Sequence, residues 1–362
     1  MAELLKDMYN KKTINEFALS IKSAYPKFQT EDFSNDVFDH EWNDLELKGR
    51  MKKVTATLGK YLPKDYEESI HILNKIAHEH SGFFAIIFPD FVETFGQDEK
   101  YLDLSIESLK RYTPYSSSEF AVRPFIINHE ERMLKEMLLW STDQDEHVRR
   151  LASEGIRPSL PWAIALPKYK KDPTPILPIL ENLKNDESLY VRKSVANNLN
   201  DISKTHPELV INIAKRWYGQ SKHTDWIVKH ALRTLLKRAN KDALEIFGYH
   251  DSSMINVNDF NITKDKISIG DNLEFSFNIS SSMDTKVRLE YSIDFVKKNN
   301  KMSNKVFQIS ESNIKKNETK HYDKIHSFKD LSTRTHYPGI HSISLIVNGV
   351  EKEKKSFEVK EK

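Results

Sequence analysis

The sequence predicts a mainly helical chain in two parts, an array of paired helices followed by a β-sandwich. Three observations carry this reading. Glycine is scarce, 10 in 362 residues, and it is nearly absent between 97 and 240, where Leu, Ala, Ile, Glu and Lys are dense. That composition favours helices. A short pattern recurs around Val148, Val191 and Val228, at spacings of 43 and 37 residues. Near residue 251 the apolar periodicity changes from helical to alternating.

The helical elements read off in order. Leu45, Met51, Val54 and Leu58 fall on one face of 42–62, and Ile70, Leu73, Ile76 and Ala77 repeat the spacing in the next segment. Leu102, Ile106 and Leu109 follow, then Met133, Met137 and Leu138. Pro63, Pro114, Pro161, Pro173 and Pro207 punctuate these runs. The stretches DQDEHVRRLASEG from Asp143, DESLYVRKSVANNLNDIS from Asp186 and HTDWIVKHALRTLLKRA from His223 share one plan. Each has a polar or acidic start suited to a helix N-terminus, then Val, basic residues and an Ala-bearing apolar face. A period near 40 fits paired helices of HEAT type, hence a HEAT-like helical-repeat solenoid over 1–250. The Arg and Lys of the pattern then recur on an exposed edge of successive repeats.

From about 254 to 362, KISIGDNLEFSFNIS, TKVRLEYSIDFV and SISLIVNGVEKEKKSFEV alternate apolar and polar residues. Gly270-Asp271-Asn272 and Asn348-Gly349 are turn signals. Short strands at this spacing read as an immunoglobulin-like β-sandwich, without the Cys pair or core Trp of antibody domains.

Composition narrows the function. Cysteine is absent, which excludes disulfides, thiolate metal sites and a Cys nucleophile, and fits a cytoplasmic chain. Asn261, Asn278 and Asn317 are then chance sequons. No apolar run is long enough for a membrane span, and the N-terminus lacks the layout of a signal peptide. No P-loop, GxSxG, HExxH or GxGxxG occurs. His78-Glu79-His80 resembles a metal cluster, but adjacent helical residues point apart, so no metal is expected there. The net charge of +2 is uneven. Residues 1–119 carry 15 Lys+Arg against 21 Asp+Glu, residues 120–250 carry 21 against 16, and residues 254–362 carry 19 against 15. A basic middle hints at a polyanionic partner.

Three stretches then act together: TPYSSSEFAVRPFI at 113–126, RRLASEGIRPSLPWA at 149–163 and VRKSVANNLNDISKTHPEL at 191–209. With HYPGIHSISLIVNG at 336–349, the set resembles the bacterial DNA alkylation-repair glycosylases of the HEAT-like AlkC and AlkD group, and AlkC more closely. The resemblance runs over essentially the whole chain. It implies a monofunctional DNA glycosylase of base excision repair without metal or cofactor. Such an enzyme hydrolyses the N-glycosidic bond of cationic alkylated bases such as 3-methyladenine, 3-methylcytosine and 1-methyladenine. It acts on duplex DNA without flipping the base, in the bacterial cytoplasm and at the nucleoid during repair; the sequence carries no oligomeric signal, so a monomer is the default expectation.

On that resemblance Glu119 and Glu154 are the expected catalytic carboxylates, because positive charge builds on the sugar in the transition state. Trp162, in a stiff loop after Pro158 and Pro161, can stack on the sugar or the cationic base. Asp201, late in its helix where an acid is locally unfavourable, is expected as a third site carboxylate. Arg123, Arg149, Arg150, Arg157, Lys168, Lys170, Lys171, Arg192, Lys193 and Lys229 are the expected DNA-binding residues. Without the resemblance, Glu119 reads as a helix cap, Glu154 and Asp201 as ion-pair members, and Trp162 as a core residue. Trp42, Trp140, Trp217 and Trp226 read as core. Lys297-Lys298, or His336 and Tyr337, offer a second approach to DNA from the C-terminal part. The competing readings are a HEAT-repeat module binding nucleic acid or protein without catalysis, and an adaptor acting through the sandwich.

Overall fold

The computed structural model describes residues 5–249, 252–331 and 334–361. Its helices are α1 (Lys11–Ala24), α2 (Thr30–Val37), α3 (Leu47–Tyr61), α4 (Tyr66–Ile76), α5 (Ile87–Phe95), α6 (Leu102–Tyr112), α7 (Val122–Asn128) and α8 (Glu130–Trp140). There follow α9 (Glu146–Glu154), α10 (Pro167–Lys171), α11 (Leu177–Leu183), α12 (Leu189–Ile202), α13 (Pro207–Trp217), α14 (Lys222–Ala231), α15 (Arg233–Lys237) and α16 (Lys241–Ile246). The strands are β1 (Ile255–Ile262), β2 (Lys266–Ser268), β3 (Asn272–Ser281), β4 (Thr285–Val296), β5 (Met302–Ile314), β6 (Thr319–Ser327), β7 (Gly339–Val347) and β8 (Val350–Lys360).

Two compact units divide the chain. The first takes the residues up to His206 together with Gly219–Ala231. Its helices bury Met51, Val54 and Leu58 on α3, and Ile70, Leu73 and Ile76 on α4, whereas Leu138 of the stripe marked on α8 is exposed. The repeated pattern forms α9, α12 and α14, and α12 packs between the other two. Val148, Val191 and Val228 are all buried. Asp145 caps α9 by accepting from His147 N, and Ser188 caps α12 by accepting from Tyr190 N. Among the described residues no helix is long and apolar enough to cross a membrane. His78-Glu79-His80 lies at a 3-10 turn, and His80 sits against Phe17 and Phe88 with Nε2 2.8 Å from Ser20 Oγ.

The second unit takes Pro207–Tyr218 and the residues from Leu232 onward. It holds a three-stranded sheet ordered β1-β3-β6 and a five-stranded sheet ordered β2-β8-β7-β4-β5. All pairings are antiparallel except β2 with β8. One core draws on both sheets, with Phe275, Phe277 and Ile279 from β3 and Leu289, Ile293 and Phe295 from β4. Alternation produces this, since period two sends every second side chain inward. Asn348 and Gly349 have φ of +47° and +82° and join β7 to β8 in a two-residue turn, with Val347 opposite Val350. A Cβ on Gly349 would meet Ala239 Cβ at 2.6 Å, so glycine is required twice over. The change to strands at 255 and the change of packing unit at 232 therefore do not coincide, because the hairpin turn seats on the chain just before α16.

Candidate active site

A cleft of about 710 Å³ opens within the first unit. Ser81–Phe83, Pro114–Ser117, Glu119 and Phe120 line it, with His147, Arg150 and Glu154 from α9, Arg157 and Leu160–Trp162 from the following loop, and Tyr190 from α12. Helical geometry selects the α9 members. Val148, Leu151 and Ala152 turn inward, while Arg150 and Glu154, four apart, share another face with His147. Gly155 ends the helix where it presses on α7, and a Cβ there would stand 2.8 Å from Val122 Cγ1.

The charged groups form a single alternating row. Arg150 Nη1 reaches Glu119 Oε2 at 2.5 Å, and Arg150 Nη2 lies 3.6 Å from Glu154 Oε1. Ser117 Oγ donates to Glu119 Oε2 at 2.8 Å and accepts from Arg150 Nη1 at 3.0 Å. Arg157 Nη1 donates to Glu154 Oε1 at 2.6 Å, and its Nε and Nη2 both stand 2.9 Å from Asp201 Oδ2. Lys204 Nζ closes the row on Asp201 Oδ1 at 2.9 Å. Glu154 is 5% exposed and Asp201 6%, so each depends on these partners. Burial works against the charge on Arg150 and Arg157, but the neighbouring carboxylates prevail and hold both above the ordinary guanidinium value. The Arg150 guanidinium lies 4.7 Å from the centre of the Tyr190 ring.

Trp162 is 65% exposed, whereas Trp42, Trp140 and Trp217 are buried. Trp226 stacks on His230 with ring centres 3.7 Å apart. The Trp162 backbone is left-handed, with φ of +64°, an uncommon state for a residue with a Cβ. Lys48 Nζ, from α3, donates to the Trp162 carbonyl and lies 4.5 Å from the centre of the Phe120 ring.

The expected residues are thus sorted by packing. Glu119, Glu154, Trp162, Arg150 and Arg157 meet at the cleft. Asp201 joins them through Arg157, behind the cleft wall. Arg123 is a correction to the DNA-binding set. It is 0% exposed, and its Nη1 donates to the carbonyls of Gly155 and Arg157 at 2.8 and 3.0 Å, so it is shut off from any phosphate. Arg157, 7% exposed and held by two carboxylates, is corrected in the same way, as an organiser of the site.

Arg149 and Arg192, each directly after the repeat Val, spend their guanidinium groups on the protein. Arg149 Nη1 donates to the carbonyls of Asp143 and Gln144, and Arg192 Nη1 to those of Asp186 and Glu187. Arg149 also grips Asp186 through Nε and Nη2 at 2.6 and 3.1 Å. These two partly exposed arginines tie each repeat to its own N-terminal turn, which leaves less of each guanidinium for a phosphate. Lys170, Lys171, Lys193 and Lys229 are exposed, and exposed Lys168 pairs with Glu130. In the second unit Lys297, Lys298, Lys305, Arg334 and Tyr337 line a basic hollow. Burial, then Arg334 and Lys297, pull the Lys305 amine below its usual value. His336 is buried with Nδ1 3.2 Å from Asp330 Oδ1, so it does not face outward.

Sequence reasoning missed Lys48, Phe120, His147 and Tyr190. Tyr190 immediately precedes the repeat Val191, and that place in the pattern was a usable signal. Lys48 had none, because it arrives from a helix 114 residues before Trp162.

The family described as "DNA alkylation repair enzyme" matches residues 97–235, and that described as "Uncharacterised protein YhaZ, C-terminal Ig-like domain" matches residues 256–361. The uncharacterized protein YhaZ of Bacillus subtilis (strain 168) is 51% identical over 355 residues, covering 98% of this chain and 99% of that one. A solved structure of Pseudomonas fluorescens alkylpurine DNA glycosylase AlkC, bound to DNA containing an abasic site analog, superposes with a TM-score of 0.95. It shares 35% identity, over 99% of this chain and 100% of the other.

Proposed function

Because this chain belongs to the AlkC-type DNA alkylation-repair glycosylases, with their C-terminal immunoglobulin-like domain, we propose that it excises cationic alkylated bases from duplex DNA at the Glu119–Glu154 cleft. The substrates on this reading are 3-methyladenine, 3-methylcytosine and 1-methyladenine. The observation that supports it is the alternating row of three carboxylates and three cations, two of whose carboxylates line a cleft beside an exposed aromatic ring.

The chemistry suits this arrangement. A cationic base is already a good leaving group, so the bond breaks without a strong general acid. Positive charge then builds on the deoxyribose, and a fixed carboxylate lowers the energy of that oxocarbenium. Glu154 and Glu119 take this role, and either one positions the attacking water. Arg150 and Arg157 hold the carboxylates in place before DNA arrives. Asp201 acts one layer back, through Arg157. Trp162 presents its ring face to the sugar or cationic base. The base stays in the duplex, and exposed Lys170, Lys171, Lys193 and Lys229 meet phosphates.

The test is release of methylated bases from alkylated duplex, with wild type beside Glu154→Gln. Gln keeps an acceptor for Arg157 but removes the charge. A rate loss of about 10²–10³ with folding intact is expected. Equal release by both proteins removes Glu154 from the mechanism. No release by either, with salt-sensitive DNA binding retained, favours a non-catalytic nucleic-acid-binding module.

A further inference from the structure

We propose that Arg123 is a positioning residue for this site, fixing the backbone of the 155–166 loop so that Trp162 is presented to the cleft. The proposal rests on the preceding reading of that cleft. Arg123 lies on α7, is 0% exposed and is among the largest fully buried side chains. Its Nε donates to the Ile164 carbonyl, and its Nη1 to the carbonyls of Gly155 and Arg157. One planar group therefore holds both ends of the loop, and Trp162 lies inside the span it closes.

The apex needs such a brace. Trp162 is 65% exposed and Ile164 56%, so their side chains contribute little burial. The left-handed backbone at Trp162 persists only where its surroundings over-determine it. A guanidinium fixes three acceptors in set directions, which a lysine ammonium on a flexible stem does not.

Burying this charge is costly. Burial, with the Arg157 guanidinium nearby, pushes Arg123 down to about 10, while Asp201, Glu119 and Glu154 act in the opposite direction. Nη2 is buried without a hydrogen-bond partner. An apolar side chain of similar volume would avoid both costs. The carbonyls held by Arg123 are what explain an arginine at this position.

The test uses the full chain with Arg123→Lys, and with Arg123→Met as a volume-filling variant if the lysine form does not fold. The first readout is Trp162 emission and acrylamide quenching, isolated by subtracting the matching Trp162→Phe protein. A red shift and stronger quenching in the Arg123 variant are expected, and an unchanged difference spectrum overturns the proposal. The second readout is single-turnover base release. Arg123→Lys is expected to slow it about tenfold or more, with binding of undamaged duplex nearly unchanged. In the Trp162→Phe background the same change should cost less than about twofold, since two residues acting through one loop are not additive. Equal losses in both backgrounds overturn the proposal. If wild type releases no base, the glycosylase reading fails, while the emission measurement still decides the role of Arg123.

Discussion

Arg157 donates to Asp201 at 2.9 Å although 44 residues separate them. The contact ties the loop after α9 to α12 and gives a buried carboxylate its counter-charge. The same guanidinium holds Glu154, so the position of one cleft carboxylate depends on α12, the corresponding helix of the next repeat.

Arg149 and Asp186 form a further inter-repeat tie, away from the residues that line the cleft. Asp186→Ala is expected to destabilise the helical unit by about 1.5 kcal/mol, the loss of a charge-assisted pair at a partly buried arginine that keeps its bonds to the Asp143 and Gln144 carbonyls. Arg149→Ala should do the same, and the double variant should lose less than the two combined. Urea unfolding measures this. The salt dependence of DNA binding should be unchanged in all three variants, and a flatter slope would return Arg149 to the DNA-binding set.

Lys170 and Lys171 sit exposed on α10, close in sequence to the Trp162 loop. Replacing both with Ala is expected to reduce the slope of log affinity against log salt by about 1.8, roughly 0.9 for each lost phosphate contact. Binding titrations across several salt concentrations give the slope directly. An identical slope in the variant would mean that these lysines lie off the duplex.

The strand unit is expected to weaken in acid. Burial, then Arg334 and His336, push the His326 imidazole down to about 4. Above pH 6.5 the ring is neutral in both folded and unfolded chains and contributes nothing. Between about 6.5 and 4 only the unfolded chain takes up the proton, so stability falls with pH, by about 3 kcal/mol in all. His336 and His341 are lowered as well, mainly by burial, and act in the same direction. Unfolding at pH 7, 5.5 and 4.5 should show this decline, and His326→Gln should make it shallower. A flat profile in wild type would contradict the burial argument.

Much of this was legible in the residues. Helical spacing marked the stripes of α3 and α4, the repeated Val marked α9, α12 and α14, and alternation marked the strands. Asn348-Gly349 fixed a turn because few other pairs tolerate two positive φ angles. Glu154, Arg150 and Arg157 were readable as a group, since spacings of three and four place residues side by side on or just beyond one helix.

The arginines were not legible in the same way. Arg123, Arg149, Arg150, Arg157 and Arg192 have the same five donors, and those donors suit a phosphate, a carboxylate or a carbonyl equally. Periodicity gives the face a side chain leaves from, but the acceptor comes from another element. Asp186 reaches Arg149 from the next repeat, Asp201 reaches Arg157 from α12, and Gly155 and Ile164 offer their carbonyls to Arg123. The sequence by itself determined the elements, the repeat and the chemistry available to the site. Only the tertiary structure decided which charges organise the cleft and which remain exposed, because an ion pair depends on distance in space and sequence spacing sets that distance only within one element.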